Sequence, residues 1–332
     1  MNVDRRDFFK ILSAGVVSAT SLNTAFGAEV NRYRRSPDAV GILYDATVCI
    51  GCKVCEVGCK KANDLPVEHS PIETYAGVSG TWDSSLDTSV NSFIRIKAIK
   101  TGDKPRRNDP EGGFSFMRTA CMHCVDPDCQ SVCPTSALQK DPVTGIVTWD
   151  IDACCGCRYC QMACPFEIPK FEYDEPFPRV RKCFLCSHRV AKGGIPGCAE
   201  FCPTGATLFG KFDRLLKEAK KRIALKEGDS YEYPVHTLDS GDRTPKKVAK
   251  YLNYVYGEKD GGGTQLLILS AIPFTKLGLP KLPDHSSASK SEGLQHTIYK
   301  GMYAPIALLI GLMFAAHRSV KKEESGEEEG HE

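Results

Sequence analysis

Cysteine spacing constrains this chain more than any other feature of its sequence. The 332 residues include seventeen cysteines, and sixteen of them fall into four blocks of four. In every block two residues separate the first two cysteines, and three residues separate the last two. The blocks occupy residues 49–59, 121–133, 154–164 and 183–202. So regular a pattern indicates a framework built by the cysteines themselves, through metal ligation or through disulfides.

Iron–sulfur clusters account for this spacing better than zinc or disulfides. The first and third blocks follow the C-x2-C-x2-C-x3-C run of bacterial ferredoxins, in which the fourth cysteine ligates the other cluster of a pair. The second and fourth blocks differ from this run in the gap before the third cysteine, which has four residues in the second block and eleven in the fourth. One such run is compatible with a zinc site, but four runs in one chain argue against zinc and against disulfides. We predict four [4Fe–4S] clusters ligated by the sixteen block cysteines, with Cys155 as a thiol outside the ligand sets.

The N-terminus has the three parts of an export signal. Arg5 and Arg6 precede an apolar stretch from Ile11 to Ala25, and small residues follow at a cleavage site. Adjacent arginines predict a twin-arginine (Tat) signal peptide over residues 1–27, although Asp4 departs from the usual pattern. A Sec signal or an N-terminal anchor is the alternative. Because the Tat translocon exports folded proteins, clusters assembled in the cytoplasm can reach the periplasm intact.

A second apolar stretch lies near the C-terminus, from Met302 to Ala316, with basic residues on both sides. It predicts a transmembrane helix over residues 298–318 that anchors the body at the periplasmic face of the inner membrane. A buried helix is the alternative. Residues 319–332 form an acidic tail, which we expect to be cytoplasmic, and we expect its part from Glu323 to Glu332 to be disordered.

Local patterns predict elements around the blocks. Proline follows the last cysteine in three of them, which predicts a short helix after the block, because proline is favoured at the first helical position. Residues 141–149 read as a hairpin, 213–226 as an amphipathic helix and 266–272 as a strand. Residues 261–263 read as a turn and not a phosphate loop. The insertion 64–113 has no metal-ligand spacing.

Other functional classes find little support. The net charge of +2 gives no argument for a nucleic-acid partner. No nucleophile, acid or base is arranged for catalysis, so we predict no catalytic residue. His123 lies between two block cysteines, yet no cysteine is missing that a histidine would replace. We therefore expect His123 to tune a cluster from outside its ligand set.

Over residues 44–210 the four blocks resemble the ferredoxin-type subunits of the complex iron–sulfur molybdoenzyme family. The resemblance implies an α+β fold of tandem bacterial-ferredoxin-like modules with insertions, here residues 28–290, followed by one C-terminal transmembrane helix. It also implies crossed ligation, in which the fourth cysteine of each block serves a partner block. The implied ligand sets are Cys49, Cys52, Cys55 and Cys202; Cys183, Cys186, Cys198 and Cys59; Cys121, Cys124, Cys129 and Cys164; and Cys154, Cys157, Cys160 and Cys133.

A closer resemblance covers nearly the whole chain. Three segments, 257–265, 279–282 and 295–302, are similar to the periplasmic iron–sulfur subunits of hydrogenase-2 type [NiFe] hydrogenases. This implies an electron-transfer subunit that works with hydrogenase small and large subunits and with a multi-span, quinone-reactive membrane subunit. The alternatives are an equivalent subunit of a formate dehydrogenase or another molybdopterin oxidoreductase, an iron–sulfur reductase acting by itself, and a zinc-stabilised binding module.

Overall fold

The computed structural model describes residues 34–66 and 87–327. The predicted signal peptide, 1–27, lies outside the described residues, as do residues 28–33, 67–86 and 328–332. Tyr33–Ser287 form one compact unit that contains every cysteine, and the C-terminal helix belongs to a second unit.

A three-stranded sheet forms the centre of the compact unit. Strand β1, Val40–Asp45, is its middle strand, and its side chains are almost all buried, as expected for a strand covered on both faces. Strand β11, Leu266–Leu269, pairs with β1 in parallel, and strand β8, Thr207–Lys211, pairs with it in antiparallel orientation. The sheet thereby brings the first cysteine block, which follows β1, next to the fourth, which precedes β8.

Helix α6, Phe212–Ile223, covers this sheet with Phe212, Leu215 and Ala219. It confirms the helix predicted over 213–226, although the observed helix ends three residues earlier, at Ile223. Strand β11 confirms the predicted strand 266–272 in a shorter form. A short 3-10 helix at Asp260–Gly262 occupies the predicted glycine turn, and a second one lies at Phe274–Leu277.

Four two-stranded ladders surround the sheet. They are β2 with β3 (Ile94–Lys100, Phe114–Ala120), β4 with β5 (Leu138–Lys140, Val147–Trp149), β6 with β7 (Lys170–Phe171, Val180–Arg181) and β9 with β10 (Ser230–Pro234, Arg243–Lys247). The β4–β5 ladder confirms the hairpin predicted over 141–149. Strand β2 comes from the insertion 64–113, so that segment serves to support β3.

Five short helices lie within the cysteine blocks. They are α1 (Val54–Ala62), α2 (Asp128–Ser131), α3 (Tyr159–Ala163), α4 (Ser187–Val190) and α5 (Gly197–Glu200). The prediction that a helix follows the block proline is wrong at Pro134, Pro165 and Pro203, where a turn leads toward β4, β6 or β8. In these turns the backbone folds back so that its amides donate to the preceding cysteine sulfur, as the Thr207 amide does to Cys202 Sγ at 3.4 Å. A helix would direct the same amides along its axis instead.

Helix α7, Ser287–Glu327, is longer than the predicted span 298–318 and includes Pro305. Within the described residues, one helix is long and apolar enough to cross a membrane, and it is the Ser287–Arg318 part of α7. Its apolar side chains, among them Leu309, Ile310 and Phe314, are exposed. The expectation of disorder from Glu323 onward is wrong as far as Glu327, because the glutamates of this stretch are good helix formers.

Candidate iron–sulfur centre

The first group of cysteines follows strand β1. The Asp45 carbonyl accepts the Cys49 amide at 3.1 Å and turns the chain into a loop. Four cysteines from the first and fourth blocks then line one cavity: Cys49, Cys52, Cys55 and Cys202. Cys52 is exposed and the other three are buried. Burial raises the pKa of Cys49, and the nearby Cys202 and Cys52 raise it further against opposing hydrogen bonds from Tyr44 and the Gly51 amide.

The second group forms where helix α1 crosses helix α5. Cys55 and Cys59 lie four residues apart and therefore on one side of α1, yet they face different groups. Burial raises the pKa of Cys59 well above its ordinary value, and three cysteines of the fourth block add to the shift: Cys183, Cys198 and Cys186. All four sulfurs of this second group belong to buried residues.

The third group combines the second block with the last cysteine of the third. Burial raises the pKa of Cys124 well above its ordinary value, and the largest charge contributions come from Cys164, Cys129 and Cys121. The ladder β2–β3 leads directly into this block, because β3 ends at Ala120.

The fourth group lines a single cavity beside the β4–β5 hairpin. Its members are the last cysteine of the second block and three from the third: Cys133, Cys154, Cys157 and Cys160. Cys155 lines the same cavity, and both it and Cys157 are exposed. The Tyr159 amide lowers the pKa of Cys157, but burial and a hydrogen bond with Cys155 outweigh it and leave the pKa raised.

Three cysteine pairs connect the groups in series. The two cysteines of each pair belong to adjacent groups. One of them adds to the raised pKa of the other, which is also raised by burial. Cys198 acts in this way on Cys55, Cys121 on Cys183, and Cys160 on Cys129. The four groups therefore follow one another as first, second, third and fourth, and the exposed cysteines lie at the two ends.

Hydrogen-bond donors point at the sulfurs. The Leu185 amide donates to Cys183 Sγ at 3.3 Å. Asn63 Nδ2 donates to Cys186 Sγ at 3.5 Å and to Cys59 Sγ at 3.6 Å, and so joins two blocks within the second group. Hydrogen bonds to sulfur and burial are the main means by which a protein sets the potential of an iron–sulfur cluster.

Three cations lie among the groups without a carboxylate ion pair in the described part of the chain: Arg118 and Lys182, which are buried, and Lys140, which is partly buried. Arg118 Nη2 donates to Cys198 Sγ at 3.4 Å. Lys182 Nζ donates to the carbonyls of Val147 and, at 2.9 Å, of Cys183, and Lys140 Nζ donates to the Cys124 carbonyl at 2.9 Å. Buried cations of this kind are costly unless negative charge lies close by.

His123 is buried, and its Nδ1 accepts the Val147 amide at 3.1 Å. The neutral ring therefore carries its hydrogen on Nε2, which has no partner among the described residues. Burial holds the pKa of His123 well below its ordinary value, and Lys182, Lys140 and Arg118 act in the same direction. This geometry keeps the histidine neutral beside the second cysteine block.

The residues present fit iron–sulfur clusters. None of the seventeen cysteines forms a disulfide. In the described ranges no three cysteine, histidine or acidic side chains converge on a point that would hold one metal ion. Cysteines of the first and fourth groups instead line two cavities, and a backbone amide and the Arg118 guanidinium donate to sulfurs of the second group. Cluster sulfurs accept hydrogen bonds and carry negative charge, so these donors match them.

Comparison with known proteins agrees with this chemistry. Residues 113–212, which include three of the four blocks, match a 4Fe-4S dicluster domain. The chain is 43% identical to the hydrogenase-2 operon protein HybA of Escherichia coli O157:H7, over 99% of this chain and 100% of that one. The chain belongs to the HybA family of hydrogenase-2 iron–sulfur proteins.

More distant relatives are also iron–sulfur subunits. The formate dehydrogenase-O iron–sulfur subunit of Escherichia coli K12 is 30% identical over 81% of this chain and 78% of its own length. The nitrate-inducible formate dehydrogenase iron–sulfur subunit of the same organism is 28% identical over 92% and 89%. The chain is therefore an iron–sulfur electron-transfer subunit of the HybA type that carries [4Fe–4S] clusters.

Sequence reasoning missed Arg118, Asn63, Lys140 and Lys182. Asn63 offered one local signal, since it follows Cys59 by one helical turn. Lys182 directly precedes Cys183, but the contact of its side chain with the Val147 carbonyl depends on the β4–β5 hairpin. Arg118 lies far from the first and fourth blocks in the chain, so only the packing of β3 brings it to them.

Proposed function

We propose that this chain passes electrons between a periplasmic [NiFe] hydrogenase and a quinone-reactive membrane subunit by means of four [4Fe–4S] clusters. The observation that carries the proposal is the series of four cysteine groups within one compact unit. Each bound cluster would supply one-electron transfer. The iron ligands would be Cys49, Cys52, Cys55 and Cys202 in the first cluster; Cys59, Cys183, Cys186 and Cys198 in the second; Cys121, Cys124, Cys129 and Cys164 in the third; and Cys133, Cys154, Cys157 and Cys160 in the fourth.

The series supports a linear order of clusters, from the first to the fourth. Electrons would enter and leave at the two ends, where Cys52 and Cys157 are exposed. The second group, which is buried throughout, would lie within the conducting path. The chain needs no catalytic residue of its own for this role, because its side chains bind, orient and hydrogen-bond the clusters.

The relationship to a hydrogenase-2 operon protein supports partners from a hydrogenase complex. We propose that these partners are the hydrogenase small and large subunits and a multi-span membrane subunit. Helix α7 would anchor the chain at the periplasmic face of the inner membrane, with the span near 298–318 and the tail 319–332 in the cytoplasm. Export by the Tat translocon, directed by residues 1–27, would deliver the folded protein.

Purification of the tagged full-length chain from membranes tests the proposal. We expect iron and sulfide in the amounts needed for four clusters, a nickel-containing hydrogenase among the co-purifying proteins, and little zinc. Neighbouring cysteines offer a matched pair of variants. Cys154→Ser should reduce the iron content by about one cluster or replace one cluster signal, and Cys155→Ser should leave both unchanged. Equal losses in the two variants would contradict the assignment of Cys155 as a non-ligand.

An equivalent subunit of a formate dehydrogenase or another molybdopterin oxidoreductase is the second candidate. The 30% identity to the formate dehydrogenase-O subunit favours it specifically. A molybdopterin protein among the co-purifying subunits, without a nickel protein, would support this candidate and exclude the hydrogenase.

A further inference from the structure

Arg118 is a buried cation that lies near the first and second cysteine groups. It lies on β3, and its side chain is only 3% exposed. Its Nη2 donates to Cys198 Sγ of the second group at 3.4 Å. Burial lowers the pKa of Arg118, but Cys198, Cys55 and Cys183 outweigh burial and hold the pKa above its ordinary value. Arg118 therefore lies close to cysteines of both groups.

Two nitrogens of this guanidinium, Nε and Nη1, have no hydrogen-bond partner among the described residues. Both are buried, and an unpaired buried donor on a charged group costs substantial free energy. No carboxylate forms an ion pair with Arg118 within the described ranges. Cysteine sulfurs of the first two groups lie near it, including that of Cys55 on α1.

We propose that Arg118 binds the first and second clusters together, by donating hydrogen bonds to sulfurs of both and by holding one positive charge between them. This inference rests on the proposed function, because it requires clusters in both groups. Arg118 stays protonated throughout, because an arginine keeps its charge at all ordinary pH values. Reduction of either cluster would therefore add one electron and would not change the charge of Arg118. The fixed charge thus stabilises the reduced form of both clusters and raises both potentials.

Asn63 provides the contrast that makes the proposal specific. It is neutral, and the two sulfurs to which it donates, Cys59 Sγ and Cys186 Sγ, both belong to the second group. Its Nδ2 also donates to the Cys59 carbonyl at 2.7 Å. Its removal should affect one cluster, whereas removal of Arg118 should affect two. Arg214 supplies a charge control, because it pairs with Asp239 at the protein surface.

The test is a redox titration of the purified full-length chain with its partners, followed by electron paramagnetic resonance. In Arg118→Met, two of the four midpoint potentials should fall, each by at least a tenfold change in the reduction equilibrium, which is about 59 mV for one electron. These shifts should be the same at neutral and mildly alkaline pH. One midpoint should fall in Asn63→Ala, and none should move in Arg214→Met.

Arg118→Lys guards against a variant that fails to assemble. It keeps the charge but loses the planar fork of donors, so both midpoints should fall by less than in Arg118→Met. Unchanged midpoints in both Arg118 variants, with wild-type iron content, would overturn the inference and leave the proposed function intact. A shift of one midpoint only would also overturn it, since the charge would then serve a single cluster. Absence of reducible clusters from the wild-type protein would instead refute the proposed function.

Discussion

The crossing of α1 and α5 depends on two glycines, and replacing one of them should disturb the second cysteine group. A Cβ atom at Gly58 would lie 2.6 Å from the Gly197 carbonyl oxygen and 2.8 Å from the Phe201 side chain. The first distance is about 0.8 Å short of the 3.4 Å at which ordinary van der Waals contact begins. Because a carbonyl in a helix cannot turn away, the two helices must separate.

The cost of Gly58→Ala follows from two opposing effects. Overpacking of this kind destabilises a protein by about 1–3 kcal/mol. Alanine in a helix interior regains about 1 kcal/mol relative to glycine. Since backbone and side chain both crowd the site, we expect a net loss of about 1–2 kcal/mol. Separation of the helices also moves Cys59 on α1 away from Cys198 on α5.

Thermal unfolding and iron analysis of the purified complex check this prediction. The apparent Tm should fall by about 2–4 °C per kcal/mol, and the second cluster should be lost first. Gly241→Ala is the matched control, because a Cβ added there would have no atom within 4 Å and the backbone is unstrained. If Gly58→Ala keeps the wild-type Tm and all cluster signals, close approach of the helices does not position this group.

Three further predictions concern stability, pH and the membrane. Arg222 forms a buried ion pair with Asp45 at 3.0 Å, so Arg222→Met should destabilise the protein by about 3–5 kcal/mol in chemical unfolding, whereas the exposed Arg214→Met should cost at most about 1 kcal/mol. Equal losses would contradict the burial argument. Asp141 accepts two turn amides at 2.7 and 2.8 Å, which outweigh burial and lower its pKa. Its contribution is therefore complete above the unfolded-state pKa of about 3.9 and is lost only as pH falls through the lower folded-state pKa. Hydrogen-exchange protection of those amides should stay constant from neutral pH to about pH 5 in the wild type. Asp141→Ala should reduce the protection about fivefold at both pH values, which corresponds to about 1 kcal/mol. Protection that falls over this range in the wild type would refute the lowered pKa of Asp141. Deletion of residues 298–332 should move the chain from membranes to the soluble fraction when it is produced without partner subunits, and continued sedimentation with membranes would refute the anchor.

The insertion 64–113 illustrates how a segment without chemistry of its own acts on the centre. Its strand β2 pairs with β3 over seven residues and so fixes the side chains of β3. The Tyr44 hydroxyl donates to the Phe116 carbonyl at 2.8 Å, which ties β3 to the central sheet. Phe116 also packs so closely against Gly51, whose φ is +72°, that a Cβ there would lie 2.3 Å from the ring. The first cysteine loop is thus shaped by β3, which the insertion supports through its strand β2.

The sequence by itself determined the chemistry of this protein and much of its local structure. Cysteine spacing is a local property, and so are the turn residues of the 141–149 hairpin and the apolar period of α6; each was therefore predictable from neighbouring residues. The helices expected after Pro134, Pro165 and Pro203 were wrong because amides after each proline bind the preceding cysteine sulfur instead of continuing a helix. Only the tertiary structure decided the order of the groups and the placement of Arg118 among them, because these depend on how distant strands and helices pack. Burial of that charge between two sulfur groups arises from contacts between residues about eighty positions apart in the chain, such as Arg118 and Cys198, and no local pattern encodes it.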